Sequence, residues 1–193
     1  MTKIVLVSGS LRRDSLNTTA LRTVRRLVRE RPAGPDGPHE VAMLSVGLLP
    51  LYDGDVERCD GSAAVREAKE LVRGADALIV STPSYNGEMS GALKNALDWL
   101  SRPGGASPLT GRVVALLSAS PGARGGVDAQ PALRGVLSRC GALVVDHEPV
   151  ALGRAGELPV TDGEFTDPAV VGTLGGLLDA VFAAVRQPVD VPA

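Results

Sequence analysis

The sequence predicts an α/β fold in which helices cover both faces of a doubly wound, five-stranded parallel sheet. Short apolar runs rich in β-branched residues alternate with longer segments whose apolar residues recur at helical spacing. Strands that are apolar throughout are typical of a parallel sheet buried on both faces. Right-handed crossovers between such strands leave a doubly wound arrangement. We expect one domain over residues 1–187 and a short tail over 188–193.

Strands and helices are predicted in alternation, without an internal repeat. The predicted strands are Lys3–Ser8, His39–Leu44, Ala75–Ser81, Arg112–Ser118 and Ala142–Asp146. The predicted helices are Asn17–Arg29, Ala63–Arg73, Ser90–Ser101, Val127–Arg139 and Asp167–Arg186. Pro32–Pro38 is interpreted as a turn and Gly47–Gly61 as a long loop, because proline and glycine interrupt helices.

The charge balance argues against several classes of partner. The chain has 20 basic and 22 acidic residues and a formal net charge of −2, so it offers no basic field to nucleic acid or to an anionic membrane. It contains no run of about 18 or more apolar residues, which predicts no membrane span. Cys59 and Cys140 lie far apart without a metal-binding spacing, so we interpret them as reduced thiols of a cytoplasmic protein.

The first loop with distinctive residues, Ser8–Asn17, joins a predicted strand to a predicted helix. Free backbone N–H groups and the positive end of the helix dipole favour a phosphate at such a position. Ser10, Ser15 and Asn17 can donate hydrogen bonds there, and Arg12 can add a charge-assisted one. The loop has neither the GxxxxGK[ST] nor the GxGxxG pattern, so a monophosphate fits better than the ligands of those motifs. The alternative is that Ser15 or Asn17 only caps the helix.

Two further loops follow later strands, at the sheet edge where ligands of such folds bind. Thr82–Gly91 contains an Asn-Gly turn, backbone amides that can face a flat heterocycle, and Tyr85 for stacking. Tyr85 can equally be an ordinary core residue. Ser118–Gly126 is rich in small residues that allow a close backbone approach, although it can also be simply a loop. Lys94 and Asp98 are interpreted as a surface ion pair on one helix.

The first two of these loops, with the helices that follow them, resemble one family. GSLRRDSLNTTALR together with TPSYNGEMSGALKNALDWLSR is similar to the NAD(P)H-dependent FMN reductases, which include azoreductases, quinone reductases and chromate-reducing enzymes. LPLYDGDVE and the segment Asp162–Pro168 are similar as well, so the resemblance covers nearly the whole chain. It implies a flavodoxin-like fold with strand order 2-1-3-4-5, FMN as cofactor, and NADPH or NADH as hydride donor. It also implies a homodimer or homotetramer with the flavin site near a subunit boundary.

The resemblance further implies which residues bind FMN. The first loop would hold the phosphate, the second would lie against the isoalloxazine ring, and the third would lie near the pyrimidine end of that ring. The residues so implied are Ser10, Arg12, Ser15, Asn17, Thr18, Pro83, Ser84, Tyr85, Asn86, Gly87, Ser118, Ser120 and Gly122. Many relatives carry a glutamate where Ser84 stands, a departure that we expect to alter subunit contacts or the acceptor pocket. Arg124 is the candidate residue for a preference for NADPH.

The implied activity is hydride transfer from NAD(P)H through FMN to a small acceptor, in a ping-pong cycle in which donor and acceptor use the same space. Quinones, azo compounds, free flavin and metal oxyanions are candidate acceptors. No side-chain nucleophile is required, and His39 and His147 lie outside the three loops. Three alternatives stay open: a supplier of reduced flavin to a partner monooxygenase, a flavodoxin-type electron carrier, and a redox-sensing flavoprotein. The first loop lacks the T/S-x-T-G-x-T pattern of such carriers, which disfavours the second alternative.

The helix predicted at Ser90–Ser101 has an apolar component off its main stripe. Ala92, Asn95 and Trp99 lie on this second face. We interpret the face as a subunit contact, with the alternative that Trp99 belongs to the core of its own chain.

Overall fold

The computed structural model describes residues 1–34, 37–59 and 61–187, so the predicted tail at 188–193 lies outside the described residues. The strands are β1 Lys3–Ser8, β2 Glu40–Leu44, β3 Ala77–Thr82, β4 Val113–Ala119, β5 Leu143–Val144, β6 Val150–Leu152, β7 Val160–Thr161 and β8 Glu164–Phe165. The helices are α1 Leu16–Glu30, α2 Gly54–Arg58, α3 Ala63–Arg73, α4 Gly91–Leu100, α5 Gln130–Arg139 and α6 Pro168–Val185. The main sheet is parallel in the order β2-β1-β3-β4-β5, which confirms the predicted fold class and strand order.

The centre of the sheet is buried on both faces. Every residue of β3 and β4 is buried, and only Lys3 of β1 is exposed. Alternate residues of each strand therefore enter two separate hydrophobic cores. Leu6 and Ile79 belong to the core that α1 and α6 cover, whereas Val7 and Val80 belong to the core that α3, α4 and α5 cover. This two-sided burial is the reason that the strands are continuous apolar runs rather than alternating ones.

The fifth position of the sheet differs from the prediction. The sequence predicts one strand at Ala142–Asp146, whereas the structure has β5 beside the start of β4 and β6 beside its end. Residues 145–149 leave the sheet between these two strands, and Pro149 has no N–H for a ladder. A three-residue strand that follows a charged loop carries too little periodicity to be recognised from the sequence. In consequence, β6 brings Leu152 and the residues after it to the carboxyl edge of the sheet.

Helix α4 turns its second apolar face inward. Trp99 is fully buried, and its indole N–H donates to the carbonyl of Pro50 at 2.8 Å. The Asn95 amide donates to the same carbonyl and accepts from the N–H of Tyr52. Trp99 therefore belongs to the core of its own chain, which was the alternative to a subunit contact. Its hydrogen bond holds the loop around Pro50 against α4.

The segment predicted as a loop, Gly47–Gly61, contains helical turns. A 3-10 turn spans Val46–Leu48, and the five-residue helix α2 follows Asp53, whose carboxylate accepts from the N–H of Asp55. The prediction of an irregular loop is wrong at these two places. Helices of little more than one turn carry no detectable apolar period, so the sequence does not reveal them.

A small antiparallel hairpin, formed by β7 and β8, is also absent from the prediction. Its two-residue turn has positive φ at both Asp162 and Gly163, 52° and 76°, as tight hairpin turns require. The hairpin packs on α1, where Phe165 is fully buried and its N–H donates to the Thr23 hydroxyl at 2.9 Å. The hairpin thus extends the cover over one face of α1.

Helix α6 is long and apolar. Its 18 residues have a mean hydropathy of 1.7, which by length and composition alone suffices to cross a membrane. The helix is 33% buried, through residues such as Leu174, Leu178 and Val181 that belong to the core shared with α1 and the sheet. The buried residues of α6 are its large apolar side chains, which explains part of its apolar character.

Gly176→Ala is expected to stabilise the protein. Gly176 is exposed in α6, and a methyl group there would meet no heavy atom within 4 Å. Alanine loses less conformational entropy than glycine on entering a helix, so the free energy of unfolding in urea should rise by about 0.5–1 kcal/mol. Gly87→Ala is the matched control: its surroundings are equally open but its φ is 84°, so the free energy of unfolding should fall. A rise in both variants would contradict this explanation.

Candidate functional site

Three strands end at one edge of the sheet, and the loops that follow them meet there. β1 ends at Ser8, β3 at Thr82 and β4 at Ala119. The three loops enclose a cavity of about 90 Å³. Eight of the predicted site residues line it: Ser10, Arg12, Ser15, Asn17, Pro83, Ser84, Tyr85 and Ser120. The lining also includes three sequence neighbours of predicted residues: Leu16, Ala119 and Pro121.

The part of the cavity formed by the first loop favours an anion. Ser10, Arg12 and Ser15 border the N-terminus of α1, whose first turn contains no acidic residue. The Ser15 hydroxyl oxygen accepts from the N–H of Thr18 at 3.1 Å and so caps the helix, as one interpretation predicts, while its proton remains for another acceptor. Arg12 is exposed, and no carboxylate of the described residues forms an ion pair with it. The unpaired guanidinium and the positive end of the helix dipole both favour binding of an anion.

Asn17 is almost completely buried, with 3% of its surface exposed. Its Nδ2 donates to the carbonyl of Ala119 at 3.0 Å, and its Oδ1 accepts from the N–H of Ala119 at 3.1 Å. The same Oδ1 accepts from the Ser81 hydroxyl at 2.7 Å. The amide therefore joins the first loop to the ends of β3 and β4, and Asn17 also lines the cavity. The cap of α1 is Ser15 and not Asn17.

Five predicted residues do not line this cavity. Asn86, Gly87 and Gly122 lie in the expected loops, whereas Thr18 lies in the first turn of α1 and Ser118 in β4. The Thr18 hydroxyl lies 2.9 Å from that of Ser8, and Thr18 faces a neighbouring cavity of about 280 Å³ beside the end of β2. Ser118 is fully buried, and its hydroxyl accepts from Nε2 of Gln130 at 2.9 Å. The sequence places these residues near the carboxyl edge of the sheet, but it does not reveal the direction in which each side chain points.

The second loop makes the tight turn that the sequence predicts. Tyr85 and Glu88 exchange backbone hydrogen bonds of 2.9 and 3.1 Å. Asn86 and Gly87 occupy the turn with φ values of 55° and 84°, a conformation that asparagine and glycine tolerate best. The turn brings Tyr85 to the surface, where 50% of it is exposed, so the alternative that Tyr85 is a core residue is wrong.

A second cavity, of about 320 Å³, adjoins the first. Arg12 and Tyr85 line both cavities. The second cavity is also lined by Leu11 and by Gly91 and Ala92, the first residues of α4. No histidine, cysteine, aspartate or glutamate lines either cavity, so the described lining places no imidazole, thiol or carboxylate for proton transfer.

The third loop is fixed by β6. The N–H of Ser120 donates to the carbonyl of Leu152 at 3.1 Å, and the N–H of Arg154 donates to the carbonyl of Gly122 at 3.0 Å. These contacts hold Ser120 at the cavity wall. Because the sequence does not reveal β6, it also does not reveal what positions this loop.

Other candidate residues lie away from the cavities or are already paired. Neither His39 nor His147 lines either cavity. Burial raises the pKa of the Cys140 thiol, and no disulfide forms among the described residues.

Arg124, expected beside the nucleotide, forms an ion pair with Asp128 at 2.6 Å. Within the described ranges, no group of three histidine, cysteine, aspartate or glutamate residues is placed to hold a metal ion.

Comparison with known proteins decides the family. Residues 2–157 match the family model described as NADPH-dependent FMN reductase. This chain belongs to that family. It is 35% identical to a quinone reductase from Escherichia coli K12 over 188 residues, which are 96% of each chain. It is 41% identical to an NAD(P)H-dependent FMN reductase from Pseudomonas aeruginosa over 135 residues, 70% of this chain and 69% of that protein.

The fold of this FMN reductase family member agrees with a solved relative. The flavoenzyme NAD(P)H:(acceptor) oxidoreductase FerB from Paracoccus denitrificans matches it with a TM-score of 0.86 and 30% identity, over 96% of this chain and 98% of FerB. The protein is therefore an oxidoreductase that uses FMN and NAD(P)H. The alternative of a non-enzymatic electron carrier is wrong.

The residues at the carboxyl edge fit FMN. Ser10, Arg12 and Ser15 supply hydroxyl groups and an unpaired cation for a phosphate, at the N-terminus of a helix. Pockets for ligands of this size typically enclose about 300 Å³ or more, so the cavity of 90 Å³ alone is too small. The adjoining cavity of 320 Å³ adds the missing space, and Tyr85 at its boundary offers an aromatic face to a flat ring.

Gly153→Ala is expected to displace the third loop. A methyl group at Gly153 would lie 2.1 Å from the carbonyl oxygen of Ala123, so the two backbone segments would have to separate. The free energy of unfolding in urea should fall by about 2 kcal/mol, and FMN should bind more weakly. Gly156→Ala is the control, because a methyl group there meets no heavy atom within 4 Å. Equal unfolding free energies for the two variants would contradict the proposed contact.

Proposed function

We propose that this FMN reductase family member transfers two electrons from NAD(P)H to quinones by a ping-pong reaction at the carboxyl edge of its sheet. The observation that carries the proposal is the pair of adjoining cavities that share Arg12 and Tyr85. One cavity is narrow and rich in hydroxyl groups, which suits the polar part of a cofactor. The other is wide and bordered by Leu11 and Ala92, which suits a flat, uncharged ring. A quinone is also the substrate named for the relative from E. coli.

FMN would be held by all three loops. The phosphate would bind the side chains of Ser10, Arg12 and Ser15, since charge-assisted hydrogen bonds and the helix dipole favour an anion there. The ring would rest against the second loop at Pro83–Gly87 and the third loop at Ser120–Gly122. When bound, FMN supplies the two-electron chemistry that no side chain of the chain provides.

The residues of the chain would bind and orient the reactants rather than transfer protons. Because neither cavity is lined by an imidazole, thiol or carboxylate, the protons that a quinone takes up would come from water. Tyr85 is half-exposed and would stack on a ring in the wide cavity. Ser84 adds a neutral hydroxyl group to the wall of the narrow cavity, so Arg12 is the charged residue in that wall.

An anaerobic titration tests this function. Protein reconstituted with FMN is expected to lose its visible flavin absorbance when NADPH or NADH is added, and to regain it when a benzoquinone follows. Initial rates at varied nucleotide and quinone concentrations should give the parallel double-reciprocal lines of a ping-pong reaction. Intersecting lines would exclude that order of binding. Protein that binds no FMN, or that reduces azo compounds but no quinone, would overturn the proposal.

Arg12→Ala is expected to weaken FMN binding at least about tenfold and to leave riboflavin binding unchanged, because riboflavin lacks the phosphate that the guanidinium would contact. Quenching of flavin fluorescence gives both dissociation constants. Arg13→Ala is the matched control, since this neighbouring arginine is also exposed but lines neither cavity. An equal loss of FMN and riboflavin affinity in Arg12→Ala, or a similar loss in Arg13→Ala, would count against the assignment.

We also propose that copies of the chain associate beside the wide cavity, as a homodimer or homotetramer. Leu11, Leu48 and Leu51 are strongly exposed, at 63%, 70% and 85%. Leu11 reaches the 3-10 turn that carries Leu48, because a methyl group on Gly47 would lie 3.0 Å from the Leu11 side chain. Exposed apolar patches of this kind mark interaction sites. An interface here would set the subunit boundary next to the cavity that Leu11 lines.

Leu51→Glu is expected to convert the oligomer to a monomer, because it places a charge at the most exposed residue of this patch. Light scattering coupled to gel filtration measures the mass in solution. Val160→Glu is the control, since this residue is 49% exposed on β7 and lines neither cavity. A monomeric wild-type protein, or an unchanged oligomer in Leu51→Glu, would overturn the proposed interface.

Finer sequence expectations stay predictions. Arg124 could bind the 2′-phosphate of NADPH only after its ion pair with Asp128 opens. The ratio of the kcat/KM values for NADPH and NADH measures whether the enzyme prefers NADPH.

Retention of FMN through gel filtration would disfavour a supplier of reduced flavin to a monooxygenase. We continue to expect a cytoplasmic protein, and both cores share one sheet, which supports a single domain over residues 1–187.

A further inference from the structure

The side chain of Asn17 takes the place of a strand at the end of β4. It donates to the carbonyl of Ala119 and accepts from the N–H of Ala119, so one amide pairs with both backbone groups of one residue. A residue of a neighbouring antiparallel strand makes the same two hydrogen bonds. The last pair in the β3–β4 register is Thr82 with Ser118, so Ala119 lies just beyond the point where β3 ends.

The third contact of Asn17 joins it to β3. The Ser81 hydroxyl donates to Oδ1 at 2.7 Å, and Ser81 is fully buried. One amide therefore connects the start of α1, which follows the first loop, with the two strands from which the second and third loops depart. Three of the amide's hydrogen-bonding positions are used in this way, and the side chain is 3% exposed.

We propose that Asn17 is a positioning residue that sets the three loops in the arrangement that binds FMN, acting through Ala119 and Ser81 rather than by contact with the phosphate. The inference rests on the proposed function in one respect, which is that these loops bind the flavin. Asparagine is required because the site needs a donor and an acceptor on one short side chain. An aspartate has the same shape and keeps the acceptor, but it sets an oxygen without a proton against the carbonyl of Ala119.

A positioning role and a direct phosphate contact have different consequences. Loops that are ordered before a ligand arrives lose less conformational freedom on binding, so preorganisation raises affinity for every part of the ligand. Because the Asn17 amide ties the phosphate loop to the loops that face the ring, its loss should weaken binding of FMN and riboflavin alike. A residue that only contacts the phosphate matters for FMN and not for riboflavin.

The test compares both flavins on full-length Asn17→Asp protein by fluorescence quenching. We expect the dissociation constant of riboflavin to rise about tenfold, because a buried carbonyl loses its donor. That of FMN should rise further, because the new carboxylate also repels the phosphate, so the riboflavin constant is the one that reports positioning. Ser81→Ala removes only the third hydrogen bond and should raise both constants by a smaller, equal factor of about threefold. This second variant keeps the test decisive if Asn17→Asp does not fold.

Thr23→Val is the control for a purely structural effect. Thr23 is also fully buried on α1, and its hydroxyl donates to the carbonyl of Thr19 and accepts from the N–H of Phe165. Its replacement should lower the unfolding temperature but leave both flavin dissociation constants within about twofold of wild type. Loss of FMN affinity alone in the Asn17 and Ser81 variants would identify a direct phosphate contact and overturn the proposal. Unchanged affinity for both flavins in those variants would also overturn it.

Hydrogen exchange on the flavin-free protein separates this inference from the proposed function. Peptides that cover residues 117–122 should exchange faster in Asn17→Asp than in wild type or in Thr23→Val. The aspartate still accepts from the N–H of Ala119, but it repels the carbonyl of Ala119 and so loosens the end of β4. Unchanged exchange in these peptides would overturn the positioning role even in a protein that binds FMN. Wild-type protein that binds neither flavin would instead refute the proposed function, while the exchange rates still report whether Asn17 orders the loops.

Discussion

Backbone groups that leave a buried parallel sheet must find other hydrogen-bond partners, and the carboxyl edge of this sheet is organised by that requirement. At the end of β3, the carbonyl of Ser81 accepts from the N–H of Gly9. At the end of β4, Ala119 is paired by the side chain of Asn17 on one side, while the N–H of Ser120 reaches β6 on the other. The three loops are therefore fixed by protein contacts, and the cavity between them is a consequence of how the sheet ends.

The same edge carries an arginine without an ion pair, although the chain has no large net charge. Several arginines of the described residues are paired. Arg26 forms a half-buried pair with Glu164, and Arg124 forms an exposed pair with Asp128 that stabilises the fold only slightly. Arg12 forms no such pair and lies beside the N-terminus of α1, which has no acidic residue in its first turn. A phosphate bound here would meet a local field that the overall charge of −2 does not reveal.

The loop before α2 links the core to the surface beside the site. Its inner side is fixed by Trp99 and Asn95, which both donate to the carbonyl of Pro50. Tyr52 packs edge-on against Trp99, and the hydrogen bond that its hydroxyl donates to Glu57 raises the pKa of Tyr52. The same loop exposes Leu51, and the 3-10 turn before it exposes Leu48. One short segment thus carries core packing on one side and the proposed subunit contact on the other.

The sequence by itself determined the main layers of this protein. Long apolar runs and helical periods depend on local order and on which residues are buried, so β1, β3, β4 and the long helices follow from composition and spacing. The Asn-Gly turn follows from local conformation in the same way, because asparagine and glycine tolerate positive φ at Asn86 and Gly87. The family resemblance likewise identifies the three loops, since their residue types are local.

Only the tertiary structure decided the remaining features. The strand β6, the hairpin of β7 and β8, and helix α2 are too short to carry a period and exist because longer elements offer them partners. The directions of Thr18 and Ser118, away from the cavity between the loops, depend on the hydrogen bonds to Ser8 and Gln130. Asn17 shows most clearly what the sequence alone does not reveal. Its type and position suggest a ligand or a cap, but its partner Ala119 is 102 residues away in the chain, and only folding brings the two together.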